Sequence, residues 1–387
     1  MLPYAERFDL VGPDDLVFGR GTVEGTGERA AEHGTTALVV TDPGIRAAGL
    51  LEPVLDSLRA AELDVSVFEG VEPDPTVSTV VACAERAAEV DADVLVGIGG
   101  GSSMDVAKGA AALAATDRPV EALLGRGNVE TRGLPTVLLP TTAGTGSEVS
   151  PAVVLFDDRR TGEKVAMIDG ALFATTALVD PDLTMHLPAA LTRATGLDAF
   201  AHGMGSYLST ASNTFANALC AEAMDLIETH LRDAVYHGAN APEAREKLSL
   251  ASTMAMFGRV NGGKAAIHAV AYGVQAMYDV PHAEAIAMVL PETVEFDLPA
   301  ATGVLARLGT RLYDATGSRR ERAETLVEGV YRLRADVGLD RNLRSVGASE
   351  ADLDEVAALA VRSERHLEAN PRPVTIEDAR AILRNCW

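Results

Sequence analysis

Residues 93–105 read DVLVGIGGGSSMD, an apolar run that ends on adjacent glycines before the helical stretch Val106–Leu113. A short, continuous apolar run bounded by aspartate and glycine suits a strand covered on both faces, as in the parallel sheet of an α/β domain. The same texture recurs in ALVVT (37–41), VSVFEG (65–70) and TVLLPTT (136–142), with helical patterns between them. One such helix is expected to open at Asp74-Pro75, since Val77, Val80, Val81, Ala84 and Ala88 follow at helical spacing. Farther on, AVVLFDD and GEKVAMID flank the polar turn Arg159–Gly162. Two alternating runs joined in this way predict a β-hairpin.

After about residue 186 the chain changes to long alanine- and leucine-rich segments without convincing strands. The reading is therefore an α/β N-terminal nucleotide-binding domain, residues 1–186, followed by an all-α C-terminal domain, residues 187–387. Leu187-Pro188 marks the change, because a residue before proline is pushed out of helical geometry while proline suits a first helical turn. No repeat or flexible linker is visible, so the two domains are expected to pack closely around a cleft.

With 387 residues, 47% of them apolar, the chain can bury a large core, and 4% aromatics make that core aliphatic. Acidic residues outnumber basic ones 56 to 33, for a formal charge of −23, so binding to nucleic acid is disfavoured. That charge fits a salt-loving source, where self-repulsion is screened, or an ordinary acidic enzyme from an arginine-rich organism. Cys83, Cys220 and Cys386 are odd in number and widely spaced, which fits a reducing cytoplasm better than a disulfide framework. The opening MLPYAERFDL lacks a basic segment followed by an apolar one, and apolar runs stop short of about 20 residues, so neither secretion nor a membrane span is expected.

Chemistry concentrates in a few places. Gly99, Gly100, Gly101 and Ser102 stand between a strand and a helix, where exposed backbone N–H groups and the helix dipole favour a pyrophosphate. Glycines in that position also simply tighten a turn. This is not the GxGxxG fingerprint. A second loop, PTTAGTGSE (140–148), carries hydroxyls that can reach phosphate or ribose oxygens, and two such loops point to one dinucleotide. Asp105 and Ser147 fall within these two motifs and are counted with the cofactor-binding positions. Asp42, just past the ALVVT strand, can accept from ribose hydroxyls or serve only as a turn aspartate before Pro43. Asp198 and His202 lie four apart on one predicted helix over Thr195–Leu208, His268 lies in a second helical segment, and His282 follows Pro281 at the start of a third. One carboxylate with three imidazoles suits a first-row divalent metal such as iron or zinc.

Taken together, GGGSSMDVAKG (99–109), PTTAGTGSEVS (140–150), the Asp198/His202 pair in TGLDAFAHGMGSYLS, and the spacing from His268 to PHAEAIAMVLP closely resemble the iron-containing (group III) alcohol dehydrogenase family. That family shares its general fold with glycerol dehydrogenases and dehydroquinate synthases. The resemblance covers nearly the whole chain. It implies a metal, iron before zinc, on Asp198, His202, His268 and His282, with NAD cradled by Gly99, Gly100, Gly101 and Ser102. It also implies that Thr141, Thr142, Thr145 and Lys164 lie near the cofactor, that Asp42 prefers NAD over NADP, and that the subunit forms a homodimer or larger homo-oligomer.

The activity so implied is NAD(H)-linked alcohol dehydrogenation or carbonyl reduction on a small molecule, the nicotinamide facing the metal-held oxygen. Alternatives are a maleylacetate-reductase-like or hydroxy-acid dehydrogenase, a dehydroquinate-synthase-like lyase, and a non-catalytic NAD- or metal-binding protein. Three departures bear on these. Tyr272 stands where family members often carry a second histidine, so a proton would pass through a phenol instead of an imidazole. Lys264 replaces a commonly apolar residue and can meet an anionic substrate or pair with a carboxylate. PHAE replaces the commoner PHG, as in maleylacetate reductases.

Overall fold

The computed structural model describes residues 7–278 and 280–387, so residues 1–6 of the opening segment lie outside it. The chain forms two compact units, Val11–Leu187 and a second made of Pro188–Trp387 together with residues 7–10.

The first unit carries strands β1 (Asp15–Phe18), β2 (Thr36–Val40), β3 (Asp64–Phe68), β4 (Val94–Gly99), β5 (Gly125–Arg126), β6 (Thr136–Pro140), β7 (Ala152–Phe156), β8 (Lys164–Ile168) and β9 (Thr176–Val179). Its helices are α1 (Thr26–Ala31), α2 (Pro43–Ala47), α3 (Leu51–Ala60), α4 (Val77–Glu89) and α5 (Gly101–Ala114). Six strands form one parallel sheet in the order β1-β9-β6-β4-β2-β3. Alternation along the strands divides their side chains between two cores. Leu38, Val40, Leu95 and Leu138 pack with Met104, Val106 and Ala107 of α5 and with Val77, Val80 and Cys83 of α4. Ala37, Val39, Val94, Val96 and Ile98 pack on the opposite face with Leu51, Val54, Leu55 and Leu58 of α3. Both faces are covered, which is why these strands read as unbroken apolar runs.

The expected hairpin is present, with β7 and β8 antiparallel from Ala152↔Ile168 to Phe156↔Lys164. The helix expected to open at Asp74-Pro75 begins later, at Val77. Thr76 caps it, its Oγ1 accepting from Thr79 N at 3.1 Å. Asp74 has a φ of +50°, outside helical geometry, and Pro75 O accepts from Phe156 N at 2.9 Å, so this dipeptide is tied to β7. Strands β1 and β9 escaped the sequence reading. Each has four residues, too few to show a period.

The second unit is helical, with α6 (Ala189–Leu208), α7 (Thr214–His237), α8 (Pro242–Gly262), α9 (Ile267–Tyr278), α10 (His282–Tyr313), α11 (Arg319–Asp336), α12 (Leu353–Val361), α13 (Glu364–Leu367) and α14 (Ile376–Asn385). Helix α6 starts six residues earlier than the predicted Thr195 and is buried without interruption from Gly196 to Leu208. A helix apolar all round belongs at the centre of its domain. Among the described residues, no helix is long and apolar enough to cross a membrane.

Asp297 on α10 is fully buried, and burial pushes its carboxyl up to about 7, with Asn370 and Arg372 pulling the other way. Because the folded value lies above the ordinary carboxyl value of 3.8, the folded state holds the proton more tightly, and this group's contribution is lost as pH rises toward about 7. Asp297→Asn is therefore expected to gain stability relative to the parent between about pH 4 and pH 8, by up to about 4 kcal/mol. Urea midpoints at the two pH values test this, and a difference independent of pH would contradict it.

Candidate functional site

In the first unit the chain runs outward from β2 to β3 and then returns to β4 on the other side of β2. The order reverses at that point, and the loops leaving the carboxyl ends of β2 and β4 meet there, where open α/β sheets bind ligands. Asp42 follows β2 and Gly99 ends β4. The Asp42 carboxylate is divided between two tasks. Oδ1 caps α2, accepting from Gly44 N at 2.9 Å and Ile45 N at 3.3 Å, while Oδ2 lies 3.3 Å from Ser103 Oγ. The turn reading of this residue is realised in the α2 cap, and Oδ2 faces the glycine turn after β4.

Gly99 has a φ of +149°, which side-chain-bearing residues rarely adopt, and a Cβ there would fall 2.5 Å from Ser103 Oγ. Gly100 is the N-cap of α5 with no side chain capping it. The second loop lies against the first. Thr141 N donates to Gly99 O at 2.9 Å, and Cβ atoms added at Gly100 and Gly101 would touch Thr142 and Thr145 at 3.6 and 3.1 Å. The Thr142 hydroxyl is buried without a hydrogen-bond partner among the described residues. Bare backbone around a helix N-terminus, beside an unpartnered hydroxyl, fits a phosphate-bearing ligand.

Other positions assigned to the cofactor have different surroundings. The Ser147 hydroxyl donates to Asp105 Oδ1, and Asp105 Oδ2 accepts from Val154 N at 2.8 Å. Lys108 Nζ, buried beside Asp105, donates to Ser147 O at 3.0 Å, Ser150 O at 3.2 Å and Ala152 O at 2.6 Å. This internal cluster fastens the second loop to α5. Lys164 begins β8 and its ammonium lies 2.6 Å from Asp74 Oδ1.

In the second unit, four side chains from three helices converge. Asp198 and His202 project from one face of α6, His268 is the second residue of α9, and His282 is the first of α10. The Nε2 atoms of His202, His268 and His282 lie 3.6, 3.6 and 3.9 Å from Asp198 Oδ1. Ligand atoms of Asp198, His268 and His282 all fall within 4.8 Å of one another, and the His202 ring stacks on His268 at 4.8 Å between centroids. Asp198 Oδ1 and His268 Nε2 are buried with no hydrogen-bond partner among the described residues. Burial pushes the Asp198 carboxyl up to about 7, partly offset by Arg259. The His268 imidazole goes well below its usual value, first through burial and then through Arg259 and the other histidines, which leaves it in the neutral form that ligates a metal.

Tyr272 stacks on His282 at 5.3 Å, and burial raises its phenol, so it is a proton-bearing donor and a poor base. Lys264 is half-buried in the loop between α8 and α9. Three neighbours escaped the sequence reading. Gln275 Oε1 lies 3.3 Å from His282 Nδ1 and orients that ring. Arg259 on α8 is felt electrostatically by both Asp198 and Tyr272. His366 on α13 packs parallel to His268 at 6.2 Å and edge-on to Tyr272 at 5.4 Å. Gln275 had a sequence signal, since positions 268, 272 and 275 share one helical face; His366 and Arg259 had none.

Residues 13–181 match the iron-containing alcohol dehydrogenase family, and residues 192–387 match the C-terminal region of the Fe-containing alcohol dehydrogenase family. The chain is 33% identical over 376 residues to the NAD-dependent methanol dehydrogenase of Bacillus methanolicus, covering 96% of this chain and 98% of that one. It is 33% identical over 385 residues to the 1,3-propanediol dehydrogenase of Citrobacter freundii, covering 98% and 99%. A crystal structure of 1,3-propanediol oxidoreductase superposes with a TM-score of 0.95 at 32% identity, covering 99% of this chain and 100% of that one.

Proposed function

This chain belongs to the iron-containing alcohol dehydrogenase family, and on that premise we propose that it transfers hydride reversibly between NAD and a small alcohol or its carbonyl partner. The observation that carries the reading is the convergence of three imidazole nitrogens on one buried carboxylate oxygen. Those donors suit a divalent first-row ion, iron in the first place and zinc in the second. When bound, such an ion polarises the substrate oxygen and lowers the pKa of an alcohol.

The chain's own groups have distinct tasks in this reading. His202, His268 and His282 would hold the cation through their ring nitrogens, and Gln275 keeps the His282 ring in register. The Tyr272 phenol offers a hydrogen bond to the substrate oxygen. The backbone of Gly99, Gly100 and Gly101, with the α5 dipole, receives the cofactor pyrophosphate, while Ser102, Thr141, Thr142 and Thr145 line its path. Asp42 Oδ2 accepts from ribose hydroxyls and repels a 2′-phosphate, which favours NAD over NADP. Asp105, Ser147 and Lys108 act at one remove by holding the second loop.

Incubating the protein with NAD or NADP, added metal and a panel of alcohols tests the reading, with growth of the reduced-nicotinamide absorbance expected for NAD. Cofactor and metal binding without turnover of any alcohol, aldehyde or ketone would contradict it. A dehydroquinate-synthase-like lyase and a non-catalytic binding protein are not favoured, since the relatives are named as dehydrogenases. Buried, unpaired Cys83, Cys220 and Cys386 accord with the cytoplasm. Strand β1 lies at a sheet edge with Leu16 exposed, an arrangement suited to pairing with a second copy. Light scattering is expected to give at least a dimer, and a monomer at all concentrations would remove that reading.

A further inference from the structure

The helices that carry the candidate ligands are joined at one short stretch, Ala369–Arg372, which follows α13. Ala369 O accepts from Thr210 N at 2.8 Å and from Thr210 Oγ1 at 3.2 Å, two residues past the end of α6. Asn370 Oδ1 accepts from Ala266 N at 2.9 Å, one residue before α9 and two before His268. Asn370 Nδ2 donates to Asp297 Oδ1 on α10 at 2.8 Å and to Arg372 O at 2.9 Å. Arg372 Nη1 donates to Phe296 O, also on α10, at 3.2 Å. One segment therefore reaches α6 with Asp198 and His202, α9 with His268, and α10 with His282.

These groups are deeply buried, with Asn370 6% exposed and Asp297 fully enclosed. Among the described residues, Asp297 Oδ2 has no hydrogen-bond partner. Burying a carboxylate with one oxygen unsatisfied is costly, and an apolar side chain would fill the same volume with less penalty. What the polar pair supplies is direction. Asn370 holds the N–H of Ala266, whose own carbonyl accepts from Val270 N at 3.1 Å and so begins the hydrogen bonding of α9. The side chain at 370 thus sets where that helix starts, and His268 stands in its first turn.

We infer that Asn370, backed by Asp297, is a positioning residue for the metal centre, fixing the start of α9 so that the His268 imidazole meets the ligands from α6 and α10. The inference rests on the metal reading above. Groups one remove from the ligands change metal affinity when altered, by about 10–100-fold.

Zinc is the probe, its dissociation constant measured by competition with a chromophoric chelator, with circular dichroism and thermal melting in parallel. Asn370→Ala is expected to weaken zinc binding at least about tenfold at unchanged helix content. Asn370→Asp alone sets two carboxylates against each other and is expected to be worse. The double variant Asn370→Asp with Asp297→Asn reverses the pair, since the carboxylate at 370 still accepts from Ala266 N and now accepts from the amide at 297. It is expected to recover zinc affinity to within about threefold of the parent. Affinity within about twofold of the parent in Asn370→Ala, even with a lower melting temperature, would make the pair merely structural and overturn the inference. So would a reversed pair that restores melting but binds no better than Asn370→Asp, a comparison that stands even if Asn370→Ala fails to fold. A parent protein that holds zinc no better than Asp198→Ala would overturn the metal centre itself, and the latch with it.

Discussion

Asp198→Ala is expected to lose its metal, with the dissociation constant rising by more than about a hundredfold, beyond the range for altered outer partners. Oδ1 of this residue is the point that all three imidazole nitrogens approach, at 3.6 to 3.9 Å, and it is the one anionic donor among them. Without it, three neutral rings would face a divalent charge inside a buried site with no compensating anion. Turnover should fall with occupancy, while helix content stays, because alanine suits the middle of α6. Elemental analysis after anaerobic purification, set beside an NAD-linked rate, reads both quantities. Full metal content with undiminished rate in the variant would end the proposal that these residues form the centre.

The second large effect is expected at the other unit. Gly99→Ala introduces a methyl group at a φ of +149°, where it would lie 2.5 Å from Ser103 Oγ and 3.3 Å from Asp42 Oδ2. Strained backbone of this kind costs about 1–3 kcal/mol, and the turn must relax by displacing the groups assigned to the cofactor. The NAD dissociation constant is expected to rise at least about tenfold, equivalent to about 1.4 kcal/mol. Zinc affinity should stay within about twofold, since every proposed ligand belongs to the other unit. Titration calorimetry with each ligand separates the outcomes, and unchanged NAD affinity would show that the turn at 99–101 does not hold the dinucleotide.

Much of this was legible in one dimension because the signals are local. The runs at 37–41, 65–70, 93–100 and 136–142 lie on strands β2, β3, β4 and β6, and the turn at 159–162 joins the antiparallel pair β7 and β8. Asp198 and His202 announce a shared helix face through their spacing alone. Where local propensity competed with distant contacts, the reading slipped. Asp74-Pro75 resembles a helix start, but its carbonyl is engaged by β7, and the helix waits for Thr76. The contact between Asp105 and Ser147, across 42 residues, had no signal in the sequence.

By itself the sequence determined an α/β half, a helical half, the strand-to-helix glycine turn and the family to which the ligand pattern belongs. Periodicity, proline and glycine act over a few residues, and those features need no more. The tertiary structure decided which side chains share a point in space. It brought Asp42 to the turn after β4 through the sheet order, placed His366 and Arg259 around Tyr272, and tied three ligand-bearing helices together at Ala369–Arg372. Each of these depends on contacts between residues tens of positions apart, set by how whole helices and strands pack, and no short window of residues carries that information.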